Sequence, residues 1–282
     1  MIHLKPEDQA YLTHLLKAAR DPAPAGWQMW HLQGHPAPLG WLSPDRASSL
    51  SRRMPGPMPL VREGESWVWR AAHCTAELRS QTLQHIAQDL HHQQLLTGWR
   101  NEVHACWGSQ EQPWPYASAE CFQIERAAFR YFGLRSHAAH VHGITPSGHM
   151  WCGRRAMSKA TDPGLLDNLA AGGLPAQETP RQCVLREIQE EAGLNASVEN
   201  LRPLPREVVT ERKVAEGWHS ERLFVYTLAL SDTDVPQNQD GEVSEFLRLT
   251  WPEVMLRLRA QHFTRDAACA IAISALQGDF KS

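Results

Sequence analysis

No stretch of this sequence approaches the roughly 18 consecutive apolar residues that a membrane-spanning helix needs. The first residues, Met-Ile-His-Leu-Lys-Pro, also contain no apolar run of signal-peptide length. The six cysteines are scattered and form no Cys-x-x-Cys pair. We therefore expect a cytoplasmic protein without a membrane partner, in which the cysteines are reduced and serve mainly as packing residues.

An excess of positive charge is missing as well. The 28 lysines and arginines are outnumbered by 31 acidic residues, which gives a net charge of −3. Such a chain has no basic field to hold the backbone of DNA or RNA, so we expect no nucleic-acid polymer as a partner. The hydrophobic share of 42% is that of a globular protein, and 282 residues suffice for two domains of ordinary size.

Eleven tryptophans and fifteen histidines are unusual numbers. Aromatic core packing is the favoured interpretation of the tryptophans, and a stacking wall for a flat ligand is the alternative. His137, His140 and His142 invite a zinc site. No fourth ligand follows at a suitable spacing, so the pattern favours ordinary strand histidines.

Apolar periodicity and capping residues predict helices at 7–20, 44–53, 75–97, 119–132, 179–192, 251–260 and 265–277. In the third of these, Thr75 is the expected N-cap and Gly98 the stop, with a buried face made of Leu78, Leu83, Ile86, Leu90 and Leu95. Strand-like runs are found at 67–69, 137–144, 150–156, 197–211 and 222–230. The change to strand-turn-strand patterns after residue 130 predicts an N-terminal accessory domain over 1–130 and an α/β domain over 131–282.

The most informative segment runs from Gly172 to Leu194. Thr179-Pro180 is a typical helix start, and Gly193 is a typical helix end. The pair Gly172-Gly173 ahead of the helix allows the backbone to approach a bulky group closely. We therefore expect a glycine loop followed by a capped helix.

This helix carries Glu187, Glu190 and Glu191 at spacings of three and four residues, on one face. Like charges at these spacings repel each other, which makes the arrangement costly without a counter-charge. Three converging carboxylates suit a hard divalent cation such as Mg²⁺. A solvated acidic helix face is the competing interpretation of the glutamates taken alone.

The order of residues resembles the signature of the Nudix hydrolases, in which Gly, Glu and an Arg-Glu-apolar-x-Glu-Glu-x-Gly-apolar run follow at fixed spacing. Every specified position is filled, by Gly172, Glu178, Arg186, Glu187, Ile188, Glu190, Glu191, Gly193 and Leu194. A match at all of these positions is far more specific than a lone glycine-rich loop. The resemblance implies an α/β/α sandwich with a mixed sheet, joined here to a smaller α+β N-terminal domain.

The resemblance also implies a site. Mg²⁺, with Mn²⁺ as the alternative, would be bound by Glu187, Glu190 and Glu191. Glu178 would assist from the loop, and Arg186 would orient Glu187. Water would attack a phosphorus of a small-molecule diphosphate, whose negative oxygens the metal ion neutralises. Many relatives pair through this domain, so a homodimer is left open.

A general base is still needed. Glu190 and Glu191 of the helix are candidates, and so are Glu242 and Glu245 in the segment before the last strand. Some Nudix enzymes place an extra glutamate on that loop, and Glu242 is the preferred residue. The alternative is that Asp240-Gly241 forms a simple turn followed by exposed charges.

Further residues are candidates for binding the substrate. Arg154, Arg155 and Lys159 follow a strand and would neutralise a diphosphate, unless they are ordinary surface charges. Trp99 and Arg100 would contact the ligand from the N-terminal domain, although a tryptophan buried between domains explains them equally well.

The whole chain resembles a narrower group, namely Nudix proteins with an added N-terminal domain that are related to the Nudix part of thiamine pyrophosphokinase fusions. Short matching segments lie in order along the chain, at 98–102, 125–126, 140–143, 163–168 and 240–243. This resemblance implies thiamine diphosphate, or its oxidised forms, as the substrate and the monophosphate as product. ADP-ribose, dinucleotides and oxidised nucleoside triphosphates are the rival substrates, and a non-catalytic ligand sensor is the rival function. His142 stands where an amide residue is expected.

Overall fold

The computed structural model describes residues 4–278 and residue 280. The first half of the chain contains α1 (Pro6–Lys17), β1 (Gln28–Leu32), β2 (Gly40–Leu42), α2 (Pro44–Arg53), β3 (Leu60–Glu63), β4 (Ser66–Trp69), α3 (Ala76–His92), β5 (Val103–Cys106), β6 (Phe122–Glu125) and α4 (Arg126–Phe132). The second half contains β7 (Arg135–Ile144), β8 (Met150–Arg155), β9 (Leu166–Asp167), β10 (Ala170–Gly173), α5 (Pro180–Ala192), β11 (Leu201–Pro203), β12 (Val208–Val214), β13 (Gly217–Ala229), β14 (Val243–Leu249), α6 (Trp251–Arg259) and α7 (Arg265–Gln277).

Four short strands of the first half form a sheet in the order β2-β1-β4-β3. Strands β1 and β4 run parallel, and the two outer pairs are antiparallel. Trp30 and Trp69 are fully buried, and they pack with Leu50 of α2 and Leu83 of α3 into one core. Aromatic core packing, the favoured interpretation of the tryptophans, therefore holds for these two rings.

The second half forms an eight-stranded mixed sheet with the main order β11-β13-β7-β8-β14. Only β13 and β7 pair in parallel among its ladders in the described residues. Successive side chains of β7 point to opposite faces. Ala139 accordingly packs with Val184 of α5, and Ala138 packs with Ala270 of α7. The predicted α/β/α sandwich with a mixed sheet is confirmed.

The two sheets meet at a close backbone crossing between β2 and the end of α4. The Trp41 N–H donates to the Gly133 carbonyl oxygen at 3.1 Å, and the Trp30 indole N–H donates to the Phe132 carbonyl oxygen at 3.0 Å. A Cβ added at Gly40 would lie 1.9 Å from the Gly133 oxygen, so this crossing requires glycine.

Most predicted helices are present, because their start signals are local. The Ser43 hydroxyl accepts from the Arg46 N–H at the start of α2, and Thr75 accepts from the Leu78 N–H at the start of α3. Helix α3, however, ends at His92 instead of reaching 97. Of its predicted apolar face, Leu83, Ile86 and Leu90 are buried, whereas Leu78 and Leu95 are exposed.

The prediction of one helix over 119–132 is wrong. Residues Phe122–Glu125 form β6, and only Arg126–Phe132 are helical. Strand β6 pairs with β5 across the loop at 108–118, and Glu125 then caps α4 by accepting from the Ala127 N–H. Pairing with a distant strand overrides the local helical pattern here.

The first helix lies with the second half of the chain. Its residue Leu12 is buried with Met255 of α6 and Ile271 of α7. The division of the chain at residue 130 stays a prediction. None of the helices in the described part of the chain combines the length and apolarity needed to cross a membrane.

Candidate active site

The loop between β10 and α5 places the glutamates. Thr179 and Gln182 form a reciprocal capping box at the start of α5, and Gly193 ends the helix at a φ of 62°. Strand β10 pairs with the central strand β7, so the loop emerges from the middle of the sheet. Both helix boundaries agree with the sequence prediction to within one residue.

The two loop glycines admit different neighbours. A Cβ added at Gly172 would lie 1.9 Å from Oε1 of Glu187, so a carboxylate of the helix rests directly on the loop backbone. A Cβ added at Gly173 would lie 2.9 Å from Cε1 of His104 and 3.3 Å from Cζ of Arg126. The first glycine therefore makes room for the acidic helix, and the second makes room for side chains of the N-terminal half.

Arg186 binds three of the predicted carboxylates at once. Its Nε and Nη2 donate to the two oxygens of Glu178, each at 3.0 Å. Its Nη1 donates to Glu187 at 2.6 Å and to Glu190 at 2.9 Å. The hydrogen bonds with Glu178, together with the charge of Glu187, raise the pKa of Arg186. Arg186 therefore holds these glutamates close together and reduces their mutual repulsion.

Glu187 and Glu191 are buried, whereas the Glu190 side chain is 51% exposed. Burial raises the pKa of Glu187, although Arg186 opposes the shift. The Glu191 carboxylate accepts from the Ala171 N–H at 2.9 Å. Burial and the charge of Glu187 nevertheless raise the pKa of Glu191 well above its usual range. No ion pair reaches Glu191 from within residues 4–278 and 280.

The loop before β14 brings two more carboxylates to the helix. Ligand atoms of Glu191, Asp240 and Glu242 all lie within 4.8 Å of one another. Glu242 also accepts a hydrogen bond from Nζ of Lys159. Burial opposes ionisation of Glu242, but Lys159 and the more distant Arg100 lower its pKa overall. Sequence reasoning weighed Asp240 only as a turn residue and missed it as a possible ligand.

These donors fit a divalent metal ion. Every side-chain atom offered by Glu191, Asp240 and Glu242 is a carboxylate oxygen, the donor that Mg²⁺ and Mn²⁺ prefer. Glu187 adds a further buried carboxylate next to Glu191. A doubly charged ion would remove the electrostatic penalty that raises the pKa of Glu191.

Arg154 and Arg155, the predicted phosphate-binding residues on β8, lie on opposite faces of the sheet, because the side chains of adjacent strand residues point in opposite directions. Arg155 donates to Asp167 at 3.0 Å and to the Thr161 carbonyl oxygen, on the side of the glutamates. Arg154 instead pairs with Glu245. Glu245, weighed as a general base, is thus held by an arginine outside the cavity described next.

A cavity of about 550 Å³ lies between the two halves of the chain. Its wall includes Gly172, Gly173, Arg186, Glu187, Glu190, Glu242, Arg155, Lys159 and Arg100. Glu178, Glu191, Arg154 and Trp99 lie outside the wall. The Trp99 ring stacks on His91 with 4.8 Å between ring centroids, and its N–H donates to Asn101 at 2.8 Å. Arg100, the neighbour of Trp99, does face the cavity.

A second acidic group lines the same cavity. Ligand atoms of His219, Glu221 and Asp266 lie within 4.8 Å of one another. Arg212 donates to both oxygens of Asp266, at 3.0 and 3.2 Å, and the Thr210 hydroxyl donates at 2.6 Å. Burial of Asp266 opposes ionisation, but His219 and Arg212 hold its pKa well below the usual range. Sequence reasoning assigned no role to this group.

The strand histidines satisfy one another through Asn168. His140 Nδ1 lies 2.8 Å from Asn168 Oδ1, and Asn168 Nδ2 donates to His142 Nδ1 at 3.2 Å. His142 Nε2 lies 3.0 Å from the Ser274 hydroxyl. The neighbouring His137 is hydrogen-bonded to the Tyr116 hydroxyl at 2.7 Å. These contacts are those of core histidines, which was the favoured interpretation.

Comparison with known proteins finds two matching families. Residues 134–269 match the family described as NUDIX domain, and residues 39–136 match a domain of unknown function, DUF4743. Nudix hydrolase 24, chloroplastic, of Arabidopsis thaliana is 33% identical over 214 residues, which are 71% of this chain and 54% of that protein. Nudix hydrolase 20, chloroplastic, of the same plant is 31% identical over 201 residues, 70% of this chain and 52% of that protein.

The chain spans about half the length of these curated relatives. Among solved structures, the crystal structure of a Deinococcus radiodurans protein at 1.9 Å resolution matches with 23% identity and a TM-score of 0.42. That match covers 54% of this chain and 89% of the other.

Proposed function

We propose that this chain, whose residues 134–269 match the NUDIX domain family, hydrolyses a diphosphate linkage with a divalent metal ion. The observation that carries this proposal is the group of carboxylates at the cavity. Glu187 and Glu191 are buried there, and Asp240 and Glu242 approach Glu191 from a distant loop. Such a concentration of buried acid is costly unless a cation balances it.

We assign Mg²⁺ or Mn²⁺ to Glu187, Glu190 and Glu191, with Glu178 in support. When bound, the ion neutralises the phosphate oxygens and lowers the pKa of an attacking water molecule. Arg186 keeps Glu178, Glu187 and Glu190 gathered on one side of the helix. Gly172 leaves room for the Glu187 carboxylate against the loop.

Glu242 is our candidate for the residue that accepts the proton from water. Its lowered pKa keeps it ionised at neutral pH, and Lys159 fixes its orientation. Arg155 and Lys159 line the same cavity and would face the substrate phosphates. Glu190 and Glu191 are the alternative bases.

For the substrate, we propose thiamine diphosphate or one of its oxidised forms, with the monophosphate as product. Support comes from the resemblance of the whole chain to Nudix proteins with an added N-terminal domain, and from a cavity of about 550 Å³, the size of a small-molecule site. ADP-ribose, dinucleotides and oxidised nucleoside triphosphates are the alternatives, and a ligand sensor is the non-catalytic one. The cytoplasmic location, the absence of a nucleic-acid partner and the homodimer stay predictions.

A substrate panel tests the proposal. Formation of the monophosphate product from oxothiamine diphosphate, thiamine diphosphate, ADP-ribose and 8-oxo-dGTP would be measured by anion-exchange chromatography with Mg²⁺, with Mn²⁺ and with EDTA. We expect metal-dependent turnover, fastest on a thiamine compound, and its loss in Glu190→Gln. Glu245→Gln is the matched control, because Glu245 also pairs with an arginine but on the other side of the sheet. No turnover on any compound would favour the sensor instead.

A further inference from the structure

The N-terminal half contributes cations to a cavity most of whose acids come from the Nudix domain. Arg100 and Arg126 both line the cavity, and both fall within the region matched to the domain of unknown function. Arg100 lies in the segment before β5, and Arg126 is the first residue of α4. Neither residue belongs to the Nudix signature.

Arg126 faces the glycine loop and the acidic helix. Its Cζ lies 3.3 Å from the position of a Cβ at Gly173. Burial disfavours the charged guanidinium, but the charges of Glu102, Glu221 and Glu187 outweigh this and raise the pKa of Arg126. The side chain is 43% exposed, so part of it is open to the cavity.

The Arg126 guanidinium uses only some of its N–H donors within the described part of the chain. Nη1 donates to Glu102 at 3.0 Å, and the other N–H groups have no hydrogen-bond partner within the part of the chain that the structure describes. A guanidinium offers five N–H donors in a planar fork that matches the oxygens of a phosphate group. Arg126 is therefore held by one ion pair and still able to bind an anion.

Arg100 lines the same cavity as Glu242. Its charge contributes to the lowered pKa of that carboxylate. The buried Glu125 carboxylate accepts from the backbone N–H groups of Arg100 at 3.0 Å and Glu102 at 3.2 Å. The same carboxylate caps α4 through Ala127. Glu125 therefore fixes the two arginines relative to each other.

We propose that Arg100 and Arg126 bind the substrate diphosphate, so that the N-terminal half completes the active site. The inference rests on the proposed diphosphate chemistry. In the free protein the two arginines interact with Glu242 and with Glu102, Glu187 and Glu221. A metal ion bound by the carboxylates would balance their charge, and the two guanidinium groups would then be able to donate to phosphate oxygens.

Binding of methylenediphosphonate, a diphosphate that cannot be hydrolysed, tests the proposal without requiring turnover. Affinity would be measured by calorimetry in the presence of Mg²⁺ for the wild type, Arg126→Ala, Arg100→Ala and Arg70→Ala. Arg70 is the matched control, because it is an exposed arginine of the same half that pairs with Glu63. We expect each cavity variant to bind about 10- to 100-fold more weakly, the value of one charge-assisted hydrogen bond. Arg70→Ala should bind like the wild type.

A second pair of measurements separates ligand binding from a structural role. Mn²⁺ binding without phosphonate should be unchanged in Arg126→Ala. Glu102→Gln removes the charge of the same ion pair but keeps an oxygen that can accept from Arg126, so it should keep wild-type affinity for the diphosphonate. Equal loss in Glu102→Gln and Arg126→Ala, unaltered binding in both arginine variants, or no binding by the wild type would overturn the proposal. Arginine-dependent binding without any hydrolysis would refute only the proposed function.

Discussion

Two acidic groups lie at one cavity in this protein, and they balance their charge in different ways. Both bring three side-chain ligand atoms within 4.8 Å of one another. In the first group, Glu191 is buried beside Glu187 without an ion pair in the described chain, and its pKa is raised. In the second, Arg212 binds both oxygens of Asp266, and its pKa is lowered despite burial.

The contrast teaches how to interpret clustered carboxylates. The spacing of acids alone identifies both groups as potential metal sites. Among the residues that the structure describes, only the first group lacks an ion pair at its most buried member, and so only the first is expected to gain much from a metal ion. The second resembles a buried structural ion pair, whose arginine already supplies the charge.

The largest effect should come from breaking the second group. Asp266→Asn leaves the Arg212 guanidinium buried without its carboxylate, so the free energy of unfolding should fall by about 3–5 kcal/mol. Urea denaturation at pH 7 would measure it. Mn²⁺ binding should remain unchanged, and a loss of Mn²⁺ binding would show that Asp266 is a metal ligand after all.

A substitution in the first group should instead raise the free energy of unfolding. Glu191→Gln removes a buried charge but keeps an oxygen for the Ala171 N–H, so the metal-free protein should become more stable. Hydrolysis should nevertheless slow at least about 100-fold, or roughly 2.7 kcal/mol of barrier. Thermal melting in EDTA and steady-state kinetics give the two values. A less stable variant in EDTA would remove the distinction between the groups.

Protonation of the second group and protonation of the buried His142 both affect stability at acid pH. The contribution of His142 must therefore be measured separately. Burial lowers the pKa of His142 to about 3, so the folded state keeps it neutral while the unfolded chain takes up a proton near its ordinary pKa of 6.5. Stability due to neutral His142 is therefore present above pH 6.5 and is lost as pH falls towards 3, by about 2 kcal/mol between pH 6.5 and 5.

Replacing His142 by Asn should reduce this pH dependence, as measured by the urea midpoint across that range, and the part that stays is expected from His137, whose pKa burial also lowers. His85, an exposed residue of α3, provides the control variant His85→Asn. If the wild type and His142→Asn lose stability in parallel, the buried histidine is not the cause.

The smallest effect is expected for a cation that faces away from both acidic groups. Arg154 pairs with the exposed Glu245, and surface pairs contribute about 0–1 kcal/mol. Arg154→Ala should change kcat/KM by less than about twofold. Lys159→Ala, which removes the partner of Glu242, should reduce it clearly more. An equal loss in both variants would place Arg154 at the substrate.

The sequence was sufficient for features that depend on neighbouring residues. Thr179, Pro180 and Gly193 predicted both ends of α5, and the helical period placed Glu187, Glu190 and Glu191 together. The mixed-sheet sandwich followed from the resemblance that those residues carry. Each of these features is encoded within a few residues of the chain.

Contacts between segments that are distant in sequence could not be predicted from local sequence patterns. Thr210 and Asp266 are 56 residues apart in sequence, and no local pattern predicts their hydrogen bond. Arg126 was noted only as part of a matching segment, because its approach to Gly173 depends on how the two halves pack. The strand at 122–125 was likewise decided by its pairing with β5.

The crossing at Gly40 and Gly133 has a mechanical consequence. A Cβ added at Gly133 would lie 1.8 Å from the Trp41 carbonyl oxygen, so the two backbones touch from both sides. A swing of one half away from the other about this point would break the Trp41 hydrogen bond and expose buried tryptophan. Entry of a ligand to the cavity should then be controlled by the residues at its rim. A fragment that begins at residue 134 would lose the cavity wall and the packing contacts that the N-terminal half supplies.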